Sequence, residues 1–432
     1  MERQEMNYLK KWKQSANRKP LIIRGARQVG KTWLMKEFGK KEYQKCAYVN
    51  FESNTALKAL FTDDFNIKRI LTAIQIETGV TIEPDNTLII LDEIQEAKDA
   101  LTSLKYFLEN APEYHIVSGG SLLGVALNNR TSFPVGKVDF MDLHPFTFIE
   151  FLEAINEKPI ADLLKAPDWE LIKTFKSRYI ERLKQYYYIG GMPEVVLSFS
   201  QDSGFNEVRR IQKNILIAYE QDFSKHAPND IVPRIRMLWN SIPAQLAKEN
   251  RKFIYGLIRQ GARAKDYELA ISWLTDCGLI HKVNNATKPG IPLKAYEEFN
   301  VFKLFLVDVG LLSAMTDLDA KTLLEGHKVF EEFKGSFTEQ YVFQQLFVQK
   351  NASLSYWSPD TRAELDFLIQ FSGQVIPLEV KAEENLHAKS LKVYCQKYEP
   401  KIAIRTSMSD YRKETWMTNI PLYAISTLFQ LS

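Results

Sequence analysis

Short apolar runs alternate with stretches of helical spacing over roughly the first 150 positions. Leu21-Ile22-Ile23, residues 46–51, residues 87–91, residues 115–121 and residues 137–143 read as strands. Residues 33–38, 67–76 and 100–110 carry apolar positions at helical spacing, and a basic opening helix over 4–14 lines up Tyr8, Leu9 and Trp12. Alternation of this kind predicts an α/β fold, a parallel sheet covered by helices on both faces. From Phe148 to about Asp222 the pattern is helical, broken at Gly190-Gly191. Residues 235–246 and 264–276 then read as helices. Lys282-Val283 and residues 292–296 read as two strands around a loop rich in Asn, Lys, Pro and Gly, the layout of a winged helix. The last hundred residues read as a helix over 335–349, strands at 353–357, 364–369 and 376–381, a basic helix over 387–398 and a strand at 402–404. The expected domains are an α/β domain over 1–152, a helical lid over 153–229, a winged helix over 230–300 and a second α/β domain over 301–432.

At 432 residues the chain is too long for one core, and about two to four domains are expected. A net charge of +3 is too small to argue for a partner. Three cysteines lie far apart without a C-x-x-C pair, and the histidines are scattered, which excludes a disulfide framework and a zinc finger. The polar first residues are not followed by an apolar core, so no secretory leader is expected, and no apolar stretch approaches the roughly twenty residues of a membrane span. A cytoplasmic protein is expected.

Chemistry concentrates first at Gly25-Ala26-Arg27-Gln28-Val29-Gly30-Lys31-Thr32, a full G-x-x-x-x-G-K-[ST] pattern between a strand and a helix. The glycines let successive amides turn toward phosphate oxygens, and the following helix adds its positive end. Lys31 is expected on the β- and γ-phosphates and Thr32 on Mg²⁺. Thr87 to Asp92 is an apolar run that ends in Asp92 and Glu93, two carboxylates at the edge where open α/β sheets bind ligands. Asp92 is assigned to Mg²⁺ and Glu93 to the attacking water. Ser118 or Ser121, at the end of the next strand, is a polar sensor for the γ-phosphate or else caps its own turn. Trp33 and Ser118 complete the expected ATP-binding set.

With those motifs, V-S-G-G-S, H-P-F-T-F-I-E-F-L (residues 144–152) and G-G-M-P-E-V-V (residues 190–196), the chain resembles prokaryotic AAA-type ATPases with a C-terminal nuclease-related domain of unknown function. The resemblance covers most of the chain and implies a P-loop fold with Mg-ATP as cofactor. Such proteins carry a Gly-Arg pair before the H-P-F stretch. Here Lys137 follows Gly136, and Arg130 stands nearby. Arg178 and Arg182 lie one turn apart on one predicted helix face, as a solvated face would.

Between Lys248 and Lys294 nine Lys/Arg face four Asp/Glu, a basic balance consistent with phosphate contact. Winged helices serve equally as protein-contact modules. In the last segment, strand periodicity puts Glu379 and Lys381 on one face, with Asp366 on the preceding strand. The helix-strand-strand-strand-helix-strand order with D…E-x-K resembles the restriction-endonuclease-like phosphodiesterases. That resemblance implies a second Mg²⁺ or Mn²⁺ on Asp366 and Glu379, Lys381 activating water, and Glu339 assisting. The alternatives are a fold kept for DNA or subunit contact, or a plain Glu379–Lys381 ion pair. Three functions follow from the sequence: an ATP-driven switch or motor, acting on double-stranded or branched DNA; an ATP-regulated nuclease; and a non-catalytic ATP-binding platform. Homo-oligomeric assembly is left open.

Overall fold

The structure is a computed structural model that describes residues 3–63, 65–97, 99–121, 136–246, 252–325, 331–349, 351–359, 363–384 and 387–430. Its first unit, residues up to His144 with Asp276–Leu279, runs α1 (Glu5–Gln14), β1 (Leu21–Arg24), α2 (Lys31–Glu42), β2 (Lys45–Asn50), α3 (Thr55–Asp63), α4 (Ile67–Thr78), β3 (Thr87–Asp92), α5 (Ala100–Asn110), β4 (His115–Gly119) and β5 (Asp139–Asp142). The strands pair in parallel in the order β2-β3-β4-β1-β5. Every residue of β3 and β4 is buried, which explains their near-continuous apolar sequences: helices cover both faces of a parallel sheet. Ile22, Val49, Ile89 and Leu91 of the sheet pack with Ile70, Ile74, Leu104 and Phe107 of the helices. Asn66 caps α4 by accepting the Arg69 amide, and Gly79 ends it in the left-handed conformation (φ 66°). The helix α3 was not anticipated from the sequence.

The second unit comprises Pro145–Thr275 and Ile280–Ser432. Its helical part is α6 (Phe148–Ala154), α7 (Lys158–Lys165), α8 (Trp169–Thr174), α9 (Lys176–Ile189), α10 (Pro193–Ser200), α11 (Gly204–His226), α12 (Val232–Leu246) and α13 (Ala264–Asp276). The H-P-F-T-F-I-E-F-L stretch owes its polar residues to a helix start. Thr147 Oγ1 accepts the Glu150 amide at 3.2 Å and Glu150 Oε2 accepts the Thr147 amide at 2.9 Å, a reciprocal capping box.

Beyond it, β6 (Ile280–Ala286) and β7 (Glu297–Leu306) form an antiparallel hairpin, followed by α14 (Val309–Met315), α15 (Ala320–Glu325) and α16 (Glu331–Phe347). Residues 292–296, expected as a strand, instead hold a 3₁₀ turn, Leu293–Tyr296, and the strand begins at Glu297. Then come β8 (Ser353–Trp357), β9 (Leu365–Phe371), β10 (Gln374–Val380), α17 (Lys389–Tyr398), β11 (Ile404–Ser407), β12 (Arg412–Lys413) and β13 (Thr418–Pro421). One sheet takes all of these strands in the order β12-β13-β11-β10-β9-β8-β6-β7. The β6–β7 hairpin is therefore continuous with the C-terminal sheet through β8, and β7 runs through position 300.

Among the described residues, no helix is long and apolar enough to cross a membrane.

Candidate nucleotide site and the C-terminal carboxylates

The loop between β1 and α2 depends on a close backbone approach. Gly25 has φ 144°, and a Cβ there would stand 2.2 Å from the Leu143 carbonyl oxygen. Gln28 (φ 66°) and Gly30 (φ 94°) are both left-handed. Such turns direct successive amides to one side and build an anion nest. Ala26 and Val29 are buried and anchor the loop, Arg27 is half-buried, and Gln28 is exposed. Trp33, in the first turn of α2, is 43% exposed.

Lys31 is buried, and its ammonium donates to the carbonyls of Gly25 (2.9 Å) and Ala26 (2.8 Å). Burial lowers its pKa to about 8, against the pull of Glu93 and Asp92. The loop meets the acid pair directly: Thr32 Oγ1 donates to Asp92 Oδ2 at 2.8 Å. Asp92 is 2% exposed; burial raises its pKa, while donors from Thr32 and Tyr48 oppose the rise. Glu93 sits at φ 49°, an unusual conformation for a side chain of its size, and turns away from the strand. Its carboxylate accepts from Gln95 Nε2 (2.6 Å) and Ser121 Oγ (3.0 Å).

Ser118, expected as a phosphate sensor, is fully buried and donates to the Leu21 carbonyl of β1 at 3.2 Å. Of the two hydroxyls at this strand end, Ser121 is the one that reaches Glu93. Tyr48 was missed altogether. Its phenol donates to Asp92 Oδ2 at 2.9 Å from the neighbouring strand β2. The available signal was a tyrosine in the strand expected beside the Asp92 strand.

The residues present fit a magnesium nucleotide. A threonine hydroxyl and a carboxylate oxygen lie 2.8 Å apart beside an anion nest, and such sites take their other ligands from phosphates and water. Lys137, standing where related chains carry arginine, pairs with Glu109 at 2.9 Å. Arg178 and Arg182 are not merely solvated: both clamp the buried Glu157, at 2.6 and 2.7 Å. Arg130 lies outside the described residues.

The C-terminal carboxylates divide into two groups. Glu379, on β10, is buried, which raises its pKa; Lys381 opposes the rise across a 2.7 Å ion pair. The second Glu379 oxygen accepts the Leu391 amide at 3.1 Å, in the first turn of α17. Asp366, on β9, accepts the Val380 amide at 2.7 Å. Glu339 is drawn elsewhere. Lys303 of β7, 1% exposed, lies 3.0 Å from Glu339 and 2.6 Å from Glu364. Among the described residues no group of three or more His, Cys, Asp or Glu is placed to hold a metal. Of the expected four-residue set, Asp366, Glu379 and Lys381 thus stand near one another, and Glu339 is paired with Lys303. One residue sequence reasoning overlooked is Arg405, which stands in register with Glu379 on β11 and is 1% exposed. In the helix-hairpin region Arg259, Arg263 and Lys265 are exposed, whereas Lys248 and Arg251 lie outside the described residues.

Strand order, loop and paired acids define a P-loop nucleotide-binding domain. Residues 17–152 match the AAA domain family, so the chain carries an AAA-type P-loop ATPase domain. Residues 180–322 match a domain of unknown function (DUF8612), and residues 334–425 match another (DUF4143). Among curated proteins none matches the chain. Similar solved structures include a Walker-type ATPase of Pyrococcus abyssi, at 15% identity and a TM-score of 0.45, covering 73% of this chain and 95% of that one. The RuvB Holliday junction branch migration motor of Thermotoga maritima is 14% identical with a TM-score of 0.30, covering 65% and 90%. The ORC1 protein of Aeropyrum pernix, solved in complex with DNA, is 13% identical with a TM-score of 0.26, covering 73% and 91%. Likeness at this level says nothing about what this chain acts on.

Proposed function

We propose that the chain is a Mg-ATP-hydrolysing switch whose N-terminal ATPase domain drives the helical, winged-helix-like and C-terminal parts, with DNA as the target. The observation that carries the hydrolytic part is the Thr32–Asp92 hydrogen bond, which joins the phosphate loop to the acid pair with Glu93 next in sequence. Lys31 would exchange its two carbonyl acceptors for phosphate oxygens. Thr32 and Asp92 would hold the magnesium, which when bound neutralises charge on the β- and γ-phosphates. Glu93, steadied by Ser121 and Gln95, would orient the attacking water.

The division into an ATPase domain over 1–152, a lid over 153–229, a winged helix over 230–300 and an endonuclease-like domain over 301–432 remains part of this reading. Support comes from the run of helices α6 to α11, the α12–α13–β6–β7 order and the α16-β8-β9-β10-α17-β11 order. DNA contact draws on the exposed Arg259, Arg263 and Lys265.

Phosphate release tests the hydrolytic reading. Lys31→Ala should abolish nucleotide uptake. Glu93→Gln should keep uptake while turnover falls by about two to three orders of magnitude. Wild-type turnover equal to that of the variants would overturn it, and nucleotide binding without turnover would favour the non-catalytic platform. Stimulation by double-stranded or branched DNA tests the target, and dependence of the rate on protein concentration tests for a homo-oligomer.

A nuclease is the second reading, favoured by the Glu379–Lys381 pair beside Asp366. The Lys303–Glu339 pair speaks against a metal there. Nicking of plasmid with Mg²⁺ or Mn²⁺ that vanishes in Asp366→Ala/Lys381→Ala would support it. Nicking that survives in that variant would come from a contaminant.

A further inference from the structure

We infer that Tyr48 is a positioning residue for the nucleotide-bound divalent cation: its phenol fixes the Asp92 carboxylate that, with Thr32, would hold the metal. This rests on the nucleotide reading above and adds a residue that belongs to neither phosphate-site motif.

The argument is geometric. β2 and β3 run parallel with Tyr48 opposite Ile90 and Asn50 opposite Asp92, so Tyr48 lies one side-chain repeat short of the acid, on the adjacent strand. Its hydroxyl donates to Asp92 Oδ2 at 2.9 Å, the same oxygen that accepts Thr32 Oγ1 at 2.8 Å. The other oxygen, Oδ1, accepts the Glu93 amide at 3.1 Å. Three donors on two oxygens fix both the position of the carboxylate and the plane of its oxygens. Rotating Asp92 would break all three contacts at a site that is 2% exposed, where lost hydrogen bonds are not replaced by bulk water.

Tyr48 is itself held from the other side. The Lys36 ammonium lies 3.7 Å from the centre of its ring. Lys36 is one helical turn beyond Thr32 on α2, so the helix that carries the metal-binding hydroxyl also clamps the ring that orients the metal-binding acid. A phenylalanine would supply the packing and the cation–π contact equally well. Only the hydroxyl reaches Asp92, and a hydrogen bond to a metal-ligating carboxylate is the kind of contact whose loss weakens metal affinity by about 10- to 100-fold.

The test is Tyr48→Phe, read without turnover. Mn²⁺ affinity of the complex with a β,γ-imido ATP analogue is measured by electron paramagnetic resonance of free Mn²⁺. Affinity for a fluorescent ATP analogue is measured separately in EDTA, and the melting temperature without ligand. The expected result is a Mn²⁺ dissociation constant raised about tenfold, with metal-free nucleotide affinity unchanged and the melting temperature lowered only by the cost of one hydrogen bond. In an Asp92→Asn background, Tyr48→Phe should add nothing further, because its effect passes through the carboxylate. Unchanged Mn²⁺ affinity would overturn the inference. So would an equal loss of nucleotide affinity in EDTA, which would make Tyr48 a support of the loop. If the wild-type chain takes up no nucleotide under either condition, the nucleotide reading fails first and takes this inference with it.

Discussion

Asp308 Oδ2 accepts the backbone amide of Gly191 at 2.6 Å, joining positions 117 residues apart. Asp308 Oδ1 accepts the Leu311 amide at 3.0 Å and so caps α14, while Gln344 Nε2 donates to Oδ2 at 3.2 Å. The double glycine of G-G-M-P-E-V-V follows from this contact. A Cβ on Gly190 would stand 2.1 Å from Asp308 Oδ1, and one on Gly191 would stand 2.2 Å from the Phe146 carbonyl. The motif closes the end of α9 against the cap of α14. It is a packing device of the second unit.

Removing that carboxylate leaves two buried amides and a glutamine without their acceptor. Asp308→Ala should lower the stability of the second unit by about 3 kcal/mol. Urea denaturation followed by tryptophan fluorescence measures it, and a loss below about 1 kcal/mol would show that water replaces the acceptor.

Two buried groups tilt the pH dependence in opposite directions. His115 bonds Tyr43 and Asp85. Burial, aided by the Arg18 charge, lowers its pKa from 6.5 to about 4. The unfolded chain therefore takes up this proton first, and stability present above 6.5 is lost as pH falls toward 4. Burial raises Asp308 from 3.8 to about 6, so its contribution is full below 3.8 and is lost as pH rises through 6. Hydrogen exchange resolved by unit, corrected for intrinsic rates, should show β3 and β4 losing protection on acidification by about 2 kcal/mol, a loss absent from His115→Gln. The opposite slope around β7 and α14 should vanish in Asp308→Asn.

Gly25→Ala should disable the phosphate loop. The added methyl would overlap the Leu143 carbonyl, and φ 144° strains any residue with a Cβ. Nucleotide affinity is expected to fall at least about tenfold, equivalent to about 1.4 kcal/mol of displaced loop. Titration with a fluorescent nucleotide reads it, and affinity equal to wild type would mean that the loop and the Leu143 carbonyl separate easily.

Lys303→Met should take from buried Glu339, and from Glu364, the cation they share. A loss of about 3–5 kcal/mol is expected for breaking a buried pair from one side. The double variant Lys303→Met/Glu339→Gln should recover much of it, because the fully buried charge is gone and only the part-exposed Glu364 keeps its own. A double variant no more stable than the single one would mean that the lysine's packing, not its charge, is what counts.

The AAA-type domain was largely legible because its signals are local. β3 and β4 announce themselves as apolar runs, since both faces of a central parallel strand are buried. The loop announces itself through glycines that no other residue can replace at φ 144° and 94°. The first half of β7 was obscured for the complementary reason: Glu297 to Asn300 are mostly exposed, Phe299 included, so no buried face marks the strand until its inner half. β12 was missed because it is two residues long, and β13 because Thr418-Asn419-Ile420-Pro421 carries no apolar run.

What the sequence determined by itself was the chemistry that neighbours along the chain can build: the nest of residues 25–32, the acid pair at 92–93, and Glu379 with Lys381 on one face of a strand. Which distant side chain meets which was decided only by the tertiary structure. It turned Ser118 into the sheet and Ser121 toward Glu93, set Tyr48 against Asp92, and paired Glu339 with Lys303. Backbone angles and periodicity are written residue by residue, whereas a buried charge takes whichever partner the packing of separate strands and helices brings within about 3 Å.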